Sequence, residues 1–432
     1  MKAELVETIW RVEEKMMSSE KVSIECADEN SDFLGDVCIA SEDEFIGMTI
    51  NNTNIDVKNR AAWVEIDTKK AIYNFEQIKK RAREINENVK ICAVVKANSY
   101  GMGAVELSKL YVESGVDMLG VATFAEALEL RNALKTQDIL ILGYTPDAAF
   151  KEAVMNNIIL TIYTHEQAAY LNKIAEELDK TARIHIKVET GMNRLGFITT
   201  PESADIIKSI SELSNVNIEG IFTHFASADD KDKSVAHMQM KAFQYFIDLL
   251  KQRNVDILIK HAANSAAIID LPEYHFDMIR PGIVLLGFYP SDEVNKDNLR
   301  IEPCITLKAK LANVKNVPAN TGISYKHTFK TKKPAVIGTV PIGYADGFSR
   351  SLSNNYYVMV NGKKCLLVGR ICMDQFMIDL SNIDKPKIGD EVIIYGNSHD
   401  GALSIEDVAN MRSTISYEIA STLSFRLPRK YI

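Results

Sequence analysis

From residue 90 onward the chain alternates between two kinds of segment. Short apolar, β-branched runs occupy Lys90–Ala97, Met118–Phe124, Ile139–Thr145, Ile158–Thr164, Arg183–Thr190, Ile218–Phe225, Ile257–Ser265 and Met278–Gly287. Between them lie stretches with apolar residues at helical spacing, such as Glu126–Leu134, Glu166–Leu178 and Val235–Gln252. Eight parallel-type strands alternating with helices predict a closed (β/α)8 barrel. An open doubly wound sheet is the competing arrangement. It usually carries a glycine-rich phosphate fingerprint after its first strand, and Gly101-Met102-Gly103 lacks the third glycine.

After about residue 300 the rhythm changes. Apolar-rich segments now follow closely: Thr306–Val317, Pro334–Ile342, Tyr356–Val360, Lys364–Ile371, Met377–Leu380 and Glu391–Tyr395. Asn361-Gly362 stands between two of them as a hairpin turn signal. The pattern predicts a mostly antiparallel β domain, followed by a helical segment capped by Ser404. Residues 1–58 stand apart. Leu5, Ile9, Val12 and Met16 share one face of an expected helix, and Glu25–Glu44 is acidic and Ser-rich. The expected organisation is an acidic, partly helical or flexible extension (1–58), a barrel (59–297) and a β domain (298–432). A partner-docking element, or a true start at Met48, are the other readings of the extension.

Composition narrows the class. With 432 residues, 46% apolar and 25% charged, the chain has the profile of an ordinary globular protein with more than one domain. No apolar stretch approaches the roughly 20 residues that cross a bilayer, and the N-terminus shows no secretory h-region, so a cytoplasmic protein without a membrane partner is expected. The net charge of -8 is uneven: residues 1–58 hold 14 acidic and 5 basic residues. That acidity argues against nucleic acid as a partner. The six cysteines lack paired metal spacing and read as free thiols, with no metal expected.

Lys96 ends a buried-strand run and precedes the loop signal Asn98-Ser99-Tyr100-Gly101. Burial favours a neutral amine, the form that attacks a carbonyl, so Lys96 is a candidate imine former. Taken alone, it also fits a lysine that snorkels to the surface. Other chemistry-bearing residues fall at the same ends of successive strands: Tyr100, Lys187 with Arg194, His224, His261 with Asn264 and Ser265, and Arg280 with Gly282. In a barrel those ends meet at one mouth. The residue types suit a phosphate-bearing aldehyde cofactor. Lys96 would supply the imine; Ser265, Tyr100 and the N–H groups after Arg280-Pro281 would hold the phosphate.

The motifs AVVKANSYG (93–101), KVETGMNRLGF (187–197), THFASAD (223–229), HAANSAAI (261–268), RPGI (280–283), GISY (322–325), VPIGYADGF (340–348), VGRICMDQ (368–375) and ISYE (415–418) occur in this order. Together they strongly resemble the alanine racemases, a pyridoxal 5'-phosphate family of barrel-plus-β-domain fold, over about residues 61–432. The resemblance implies an amino-acid racemase interconverting L- and D-alanine for peptidoglycan. Lys96 would carry the cofactor and act as one base, and Tyr325 would act as the other from the opposite face. Racemisation needs such a pair, because the α-proton leaves on one side and returns on the other. The resemblance further implies a homodimer in which Tyr325, Met373 and Asp374 serve the partner's site. Arg280 would face the pyridine nitrogen, supported by His224. Arg194 would lie near the cofactor's phenolic oxygen and the substrate. Tyr100, Asn264, Ser265, Gly282, Ile283 and Tyr417 would complete the cofactor seat. Lys187 would be carbamylated, turning a buried cation beside Arg194 into its anionic partner.

Some positions depart from the family pattern: Asn98, Met102, Glu189, Asn193 and Leu286 replace commoner residues. None removes an acid, base or imine former. Tyr417 is retained, whereas serine-preferring relatives often lose it, which favours alanine. The alternatives are a racemase of serine or a larger amino acid, a decarboxylase of the same two-domain plan, and a non-catalytic cofactor-binding barrel. The decarboxylase would want a carboxylate where Arg280 stands, and the non-catalytic barrel would have no use for Tyr325.

Overall fold

Strand β1 (Ala62–Ile66) leads into helix α1 (Thr68–Arg83), whose first turn is capped by the Asp67 side chain accepting from Lys70 N at 3.1 Å. The computed structural model describes residues 60–432 apart from 85 and 397–400. The expectations for the N-terminal extension, its helix on Leu5 to Met16 included, lie outside the described residues.

Each of the eight expected runs contains a strand: β2 (Lys90–Val94), β3 (Met118–Val121), β4 (Asp138–Ile141), β5 (Leu160–Ile162), β6 (Ala182–Glu189), β7 (Val216–Phe222), β8 (Ile259–His261) and β9 (Met278–Ile279), the last run being a strand only at its first two residues and a 3-10 turn over Ile283–Leu286. Neighbours pair in parallel from β2 to β4 and from β5 to β8. A parallel bridge between Leu140 and Ile159 joins the two arcs. Hydrogen bonds from Asp277 N to Lys260 O (3.0 Å) and from Arg280 N to Ala263 O (2.9 Å) carry β8 to β9, and β9 pairs with β2. The barrel is closed, with helices on its outside, including α2 (Ala104–Glu113) and α3 (Phe124–Ala133). Strands covered on both faces are continuously apolar because neither face meets water.

Inside, the barrel has two floors. Toward the amino ends of the strands an apolar cluster is formed by Cys92, Met118, Leu140, Ile159, Ile259 and Met278. Toward the carboxyl ends the buried residues are His185, Lys187, His261 and Arg280. The lower floor is a packed core of the usual barrel kind; the upper floor carries the chemistry.

The second domain is an antiparallel-rich β unit. Its longer strands are β10 (Ile305–Lys310), β11 (Asn313–Val317), β12 (Ala335–Val340), β13 (Tyr357–Val360), β14 (Lys363–Leu366), β15 (Phe376–Asp379), β16 (Glu391–Tyr395) and β17 (Arg429–Tyr431), and a short antiparallel pair, Gly322–Ile323 with Phe329–Lys330, flanks Tyr325. The single run expected at Thr306–Val317 is two strands, β10 and β11. The hairpin at Asn361-Gly362 forms as expected, with Val360 opposite Lys363. Ser404 caps the helix Ile405–Met411 in a capping box with Asp407. One sheet runs β14-β13-β16-β10-β1-β17. β1 is therefore a β-domain strand, antiparallel to β10 and parallel to β17. The segment expected as barrel from residue 59 begins in the other domain's sheet. Its Glu65 pairs with Lys308 of β10 at 2.8 Å, a long-range match that local pattern does not report. Among the described residues no helix is long and apolar enough to cross a membrane.

Candidate active site

The last ladder bond of the first barrel strand is Val95 N to Gly120 O, at 2.8 Å. Past Lys96 the backbone changes hand. Ala97, Asn98, Ser99 and Tyr100 all have φ between 51° and 55°. Four successive non-glycine residues in the left-handed region cost roughly 1–2 kcal/mol each, so the surroundings must impose them. Where the sequence signalled a loop, the chain makes one left-handed helical turn. Gly101 ends it at φ 87°; a Cβ there would lie 2.7 Å from Ala420 O, so the position demands glycine for both reasons. The turn seats Lys96 at the rim of a cavity of about 350 Å³ at the barrel mouth. Burial lowers the Lys96 amine pKa, with Arg194 lowering it further and Glu126 opposing.

Lys187, Arg194, His224 and Arg280 line the same cavity. Arg280 is buried and makes a dense set of bonds: NH1 donates to His261 Nδ1 (2.8 Å), and NH2 to Thr223 O (2.8 Å), Ala262 O (2.9 Å) and His224 Nδ1 (3.3 Å). A guanidinium only donates, so both imidazoles accept at Nδ1. His261 is thereby left with its proton on Nε2, which donates to His185 Nδ1 at 2.9 Å. Burial and the neighbouring cations push His224, His261 and His185 downward in pKa, His185 to about 3, so the three rings are neutral. Burial also lowers Arg280, to about 10, which still leaves it charged at neutral pH. Its Nε makes no hydrogen bond to the protein among the described residues. Lys187 lies 5.5 Å over the Phe222 ring and donates to Val188 O at 2.7 Å. Burial brings its amine down to about 7, against an upward pull from Glu189.

The cavity is also lined by Tyr100, Asn264, Ser265, Gly282 and Tyr417. Asn264 caps helix α4 (Ser265–Asp270) by accepting from Ala267 N at 3.1 Å. Gly282 N donates to Ser265 Oγ at 3.0 Å, which fixes the hydroxyl and leaves its proton free to donate. One backbone N–H expected to face a phosphate is thus used internally. Ile283 does not line the cavity and its side chain is fully buried. Its N–H, however, has no partner in the protein among the described residues. A Cβ at Gly282 would lie 2.2 Å from the Tyr100 hydroxyl, so only glycine permits this close approach. Tyr100 meets Tyr417 edge-on, at 5.9 Å between centroids. Tyr417 is on helix α5 (Ser416–Ser421) of the β domain, so both domains build the cavity of a single chain.

Three expected residues are elsewhere. Tyr325, Met373 and Asp374 do not line this cavity. Tyr325 is 64% exposed and Met373 53% exposed. Ser324, Lys326 and His327 around the tyrosine all have positive φ, and Ser324 Oγ donates to Arg370 O at 2.6 Å. Asp374 accepts from Arg426 NH2 at 2.7 Å, and Arg426 also reaches the fully buried Asp346, which Arg60 holds at 2.8 Å. Residues not singled out as site groups in the sequence also matter. His185 extends the imidazole chain, and Glu189 accepts backbone bonds from Gly191 and Arg194, pinning the loop that carries Arg194. The period-two spacing of His185 and Lys187 on one strand was the available signal for the first.

Two family descriptions match the chain: "Alanine racemase, N-terminal domain" over residues 66–290 and "Alanine racemase, C-terminal domain" over 304–431. The chain belongs to the alanine racemase family. It is 48% identical to the alanine racemase of Methanococcus maripaludis, over 86% of this chain and 98% of the relative. It is 44% identical to that of Clostridium tetani, over 86% and 96%. Among solved structures it is similar to an alanine racemase of Clostridium difficile 630 (TM-score 0.82, 42% identity, 86% and 96% covered). It is likewise similar to one from Bacillus anthracis with bound L-Ala-P (TM-score 0.80, 37% identity, 86% and 95% covered). The family depends on pyridoxal 5'-phosphate. The donor set here fits that group: a rim amine with lowered pKa, a buried fixed cation with a free Nε, and hydroxyls of Tyr100, Ser265 and Tyr417 beside an unpaired backbone N–H.

Proposed function

We propose that this protein interconverts L- and D-alanine with pyridoxal 5'-phosphate, and that Lys96 and Tyr325 are its two bases. The carrying observation is the shared cavity of Lys96 and Arg280. When bound, the cofactor supplies an electron sink that acidifies the substrate's α-proton. Lys96 then holds or gives up a proton at its Nζ on one face of that carbon. Arg280 would face the ring nitrogen of the bound cofactor through Nε; because a guanidinium only donates, that nitrogen would stay unprotonated, which would keep the sink moderate and favour simple proton return over decarboxylation. Ser265, Tyr100, Tyr417 and the Ile283 N–H bind the phosphate, and Arg194 orients the phenolic side of the cofactor and the substrate. Asn264 and Gly282 shape this seat, and His224 steadies Arg280. Lys187, neutral in part near pH 7, takes up CO2 with loss of a proton, and the resulting carbamate faces Arg194.

Tyr325 reaches its substrate from the second subunit of a homodimer. Its exposure, and its absence from its own chain's cavity, support that reading, as do Met373 and Asp374 beside it. The product supplies D-alanine for cell-wall precursors. Incubation with L-alanine, L-serine and larger L-amino acids, followed by chiral chromatography, tests the activity. D-alanine should accumulate fastest, toward an equal mixture. No D-isomer from any of them overturns the proposal, and faster conversion of L-serine overturns the substrate assignment.

A further inference from the structure

The left-handed turn after Lys96 is restrained at both ends. At its far end Asn98 Oδ1 accepts from Ala104 N (2.8 Å), Arg429 Nε donates to Gly101 O (2.8 Å) and the Tyr431 hydroxyl donates to Met102 O (3.0 Å). At its near end the restraint is a carboxylate from a different element. Glu126 Oε1 accepts from Ala97 N at 2.7 Å, the residue directly after the lysine. Its Oε2 accepts from Ala122 N (2.8 Å) and Thr123 N (3.2 Å). Thr123 Oγ1 in turn accepts from Glu126 N at 3.3 Å, completing a capping box on α3. A capping box needs the glutamate to take the N-cap N–H alone. Here the same carboxylate also takes an N–H from another strand's loop, which helix capping does not explain.

We propose that Glu126 is a positioning residue for Lys96, given Lys96 as the cofactor lysine: it clamps the Ala97 backbone to the loop after β3 and so fixes where the lysine leaves the barrel rim. The restraint acts where the strained turn begins. Without it, Ala97 is free to relax toward the right-handed region and carry Lys96 with it. Glu126 is also the negative charge acting on this amine, opposed by Arg194 from the loop after β6; His224, from the end of β7, shares the cavity as a neutral ring, and Lys187 and Arg280 line it as well. The carboxylate therefore has two separable effects, reach and charge.

The test mixes full-length protein stripped of cofactor with pyridoxal 5'-phosphate and follows the visible band of the protein-bound cofactor in stopped flow across pH. Glu126→Ala and Glu126→Asp remove the bond to Ala97, the second while keeping the charge. Both should slow the band's appearance about 10- to 100-fold, the size expected for one charge-assisted bond. Glu126→Gln keeps an acceptor and should stay closer to the wild-type rate. Its rate–pH profile should move to lower pH, because the amine gives up its proton more readily without the anion. Thr123→Ala weakens the cap of α3 alone and should leave both rate and profile in place. Wild-type rates and profiles in Glu126→Asp and Glu126→Gln overturn the proposal, as does a Thr123→Ala variant as slow as Glu126→Ala. If Glu126→Ala fails to fold, the Asp and Gln variants decide. A wild-type protein that takes up no cofactor would overturn the Lys96 reading and this proposal together.

Discussion

Lys96 sits at a cavity walled by Arg194, His224 and Arg280, whereas Tyr325 stands on a turn of the β domain with 64% of its surface exposed. The barrel mouth has been given everything that tunes an ionisable group: burial, fixed charge and imidazoles of defined tautomer. The tyrosine has been given a held backbone, through Ser324 and Arg370, but no enclosing environment among the described residues of its own chain. The difference teaches that the two regions differ in completeness. One is an enclosed pocket, and the other is an exposed turn on a firm support, as the proposed dimer requires.

The comparison breaks most sharply at the lysine. Lys96→Ala should remove both the visible band of the bound cofactor and racemisation, the latter by at least about 10³-fold. Retention of racemisation would mean that the enclosed pocket is not where the chemistry happens. Next, Tyr325→Phe should leave the visible band intact and slow racemisation by about 10²-fold or more. Solvent deuterium should then enter the α-carbon with one substrate isomer as before and with the other far more slowly. Equal incorporation from both isomers would remove the exposed tyrosine from the mechanism.

The smallest effect concerns stability within the barrel mouth. Lys187 has an amine lowered from 10.5 to about 7 by burial. Between those values the unfolded chain holds a proton that the folded chain has released, so stability rises with pH, by at most ~1.4 kcal/mol per pH unit. The penalty is fully present below about pH 7 and gone above about 10.5. Lys187→Met removes it. In carbonate-free buffer, denaturant unfolding should show the variant's gain over wild type largest at pH 7 and fading toward pH 10. A gain independent of pH would show that Lys187 is not buried as a cation in the unmodified protein.

The alternation of apolar runs with helical stretches made the barrel legible, because strands covered on both faces must be apolar throughout. The hairpin at Asn361-Gly362 and the Ser404 cap were legible for the same local reason. The placement of β1 was not: its partners, β10 and β17, are hundreds of residues away, and nothing in Ala62–Ile66 names them. The cavity's residues were legible as strand-end polar groups and through the family motifs. The hand of the backbone after Lys96 was not, since Ala97-Asn98-Ser99-Tyr100 has no glycine to announce positive φ. Glu126 read only as part of a helix, because its second bond crosses between elements. Tyr325 was legible from its motif alone; its surroundings in a single chain offer no chemical signal.

The grip of Arg429 and Tyr431 on the carbonyls of Gly101 and Met102 has a bearing on synthesis. A ribosome delivers the barrel strands long before it delivers β17. A nascent chain stalled between the domains would have only the Asn98–Ala104 bond at the far end of the lysine turn and would lack the two from β17. The lysine turn would thus gain its full set of far-end restraints only once β17 is in place.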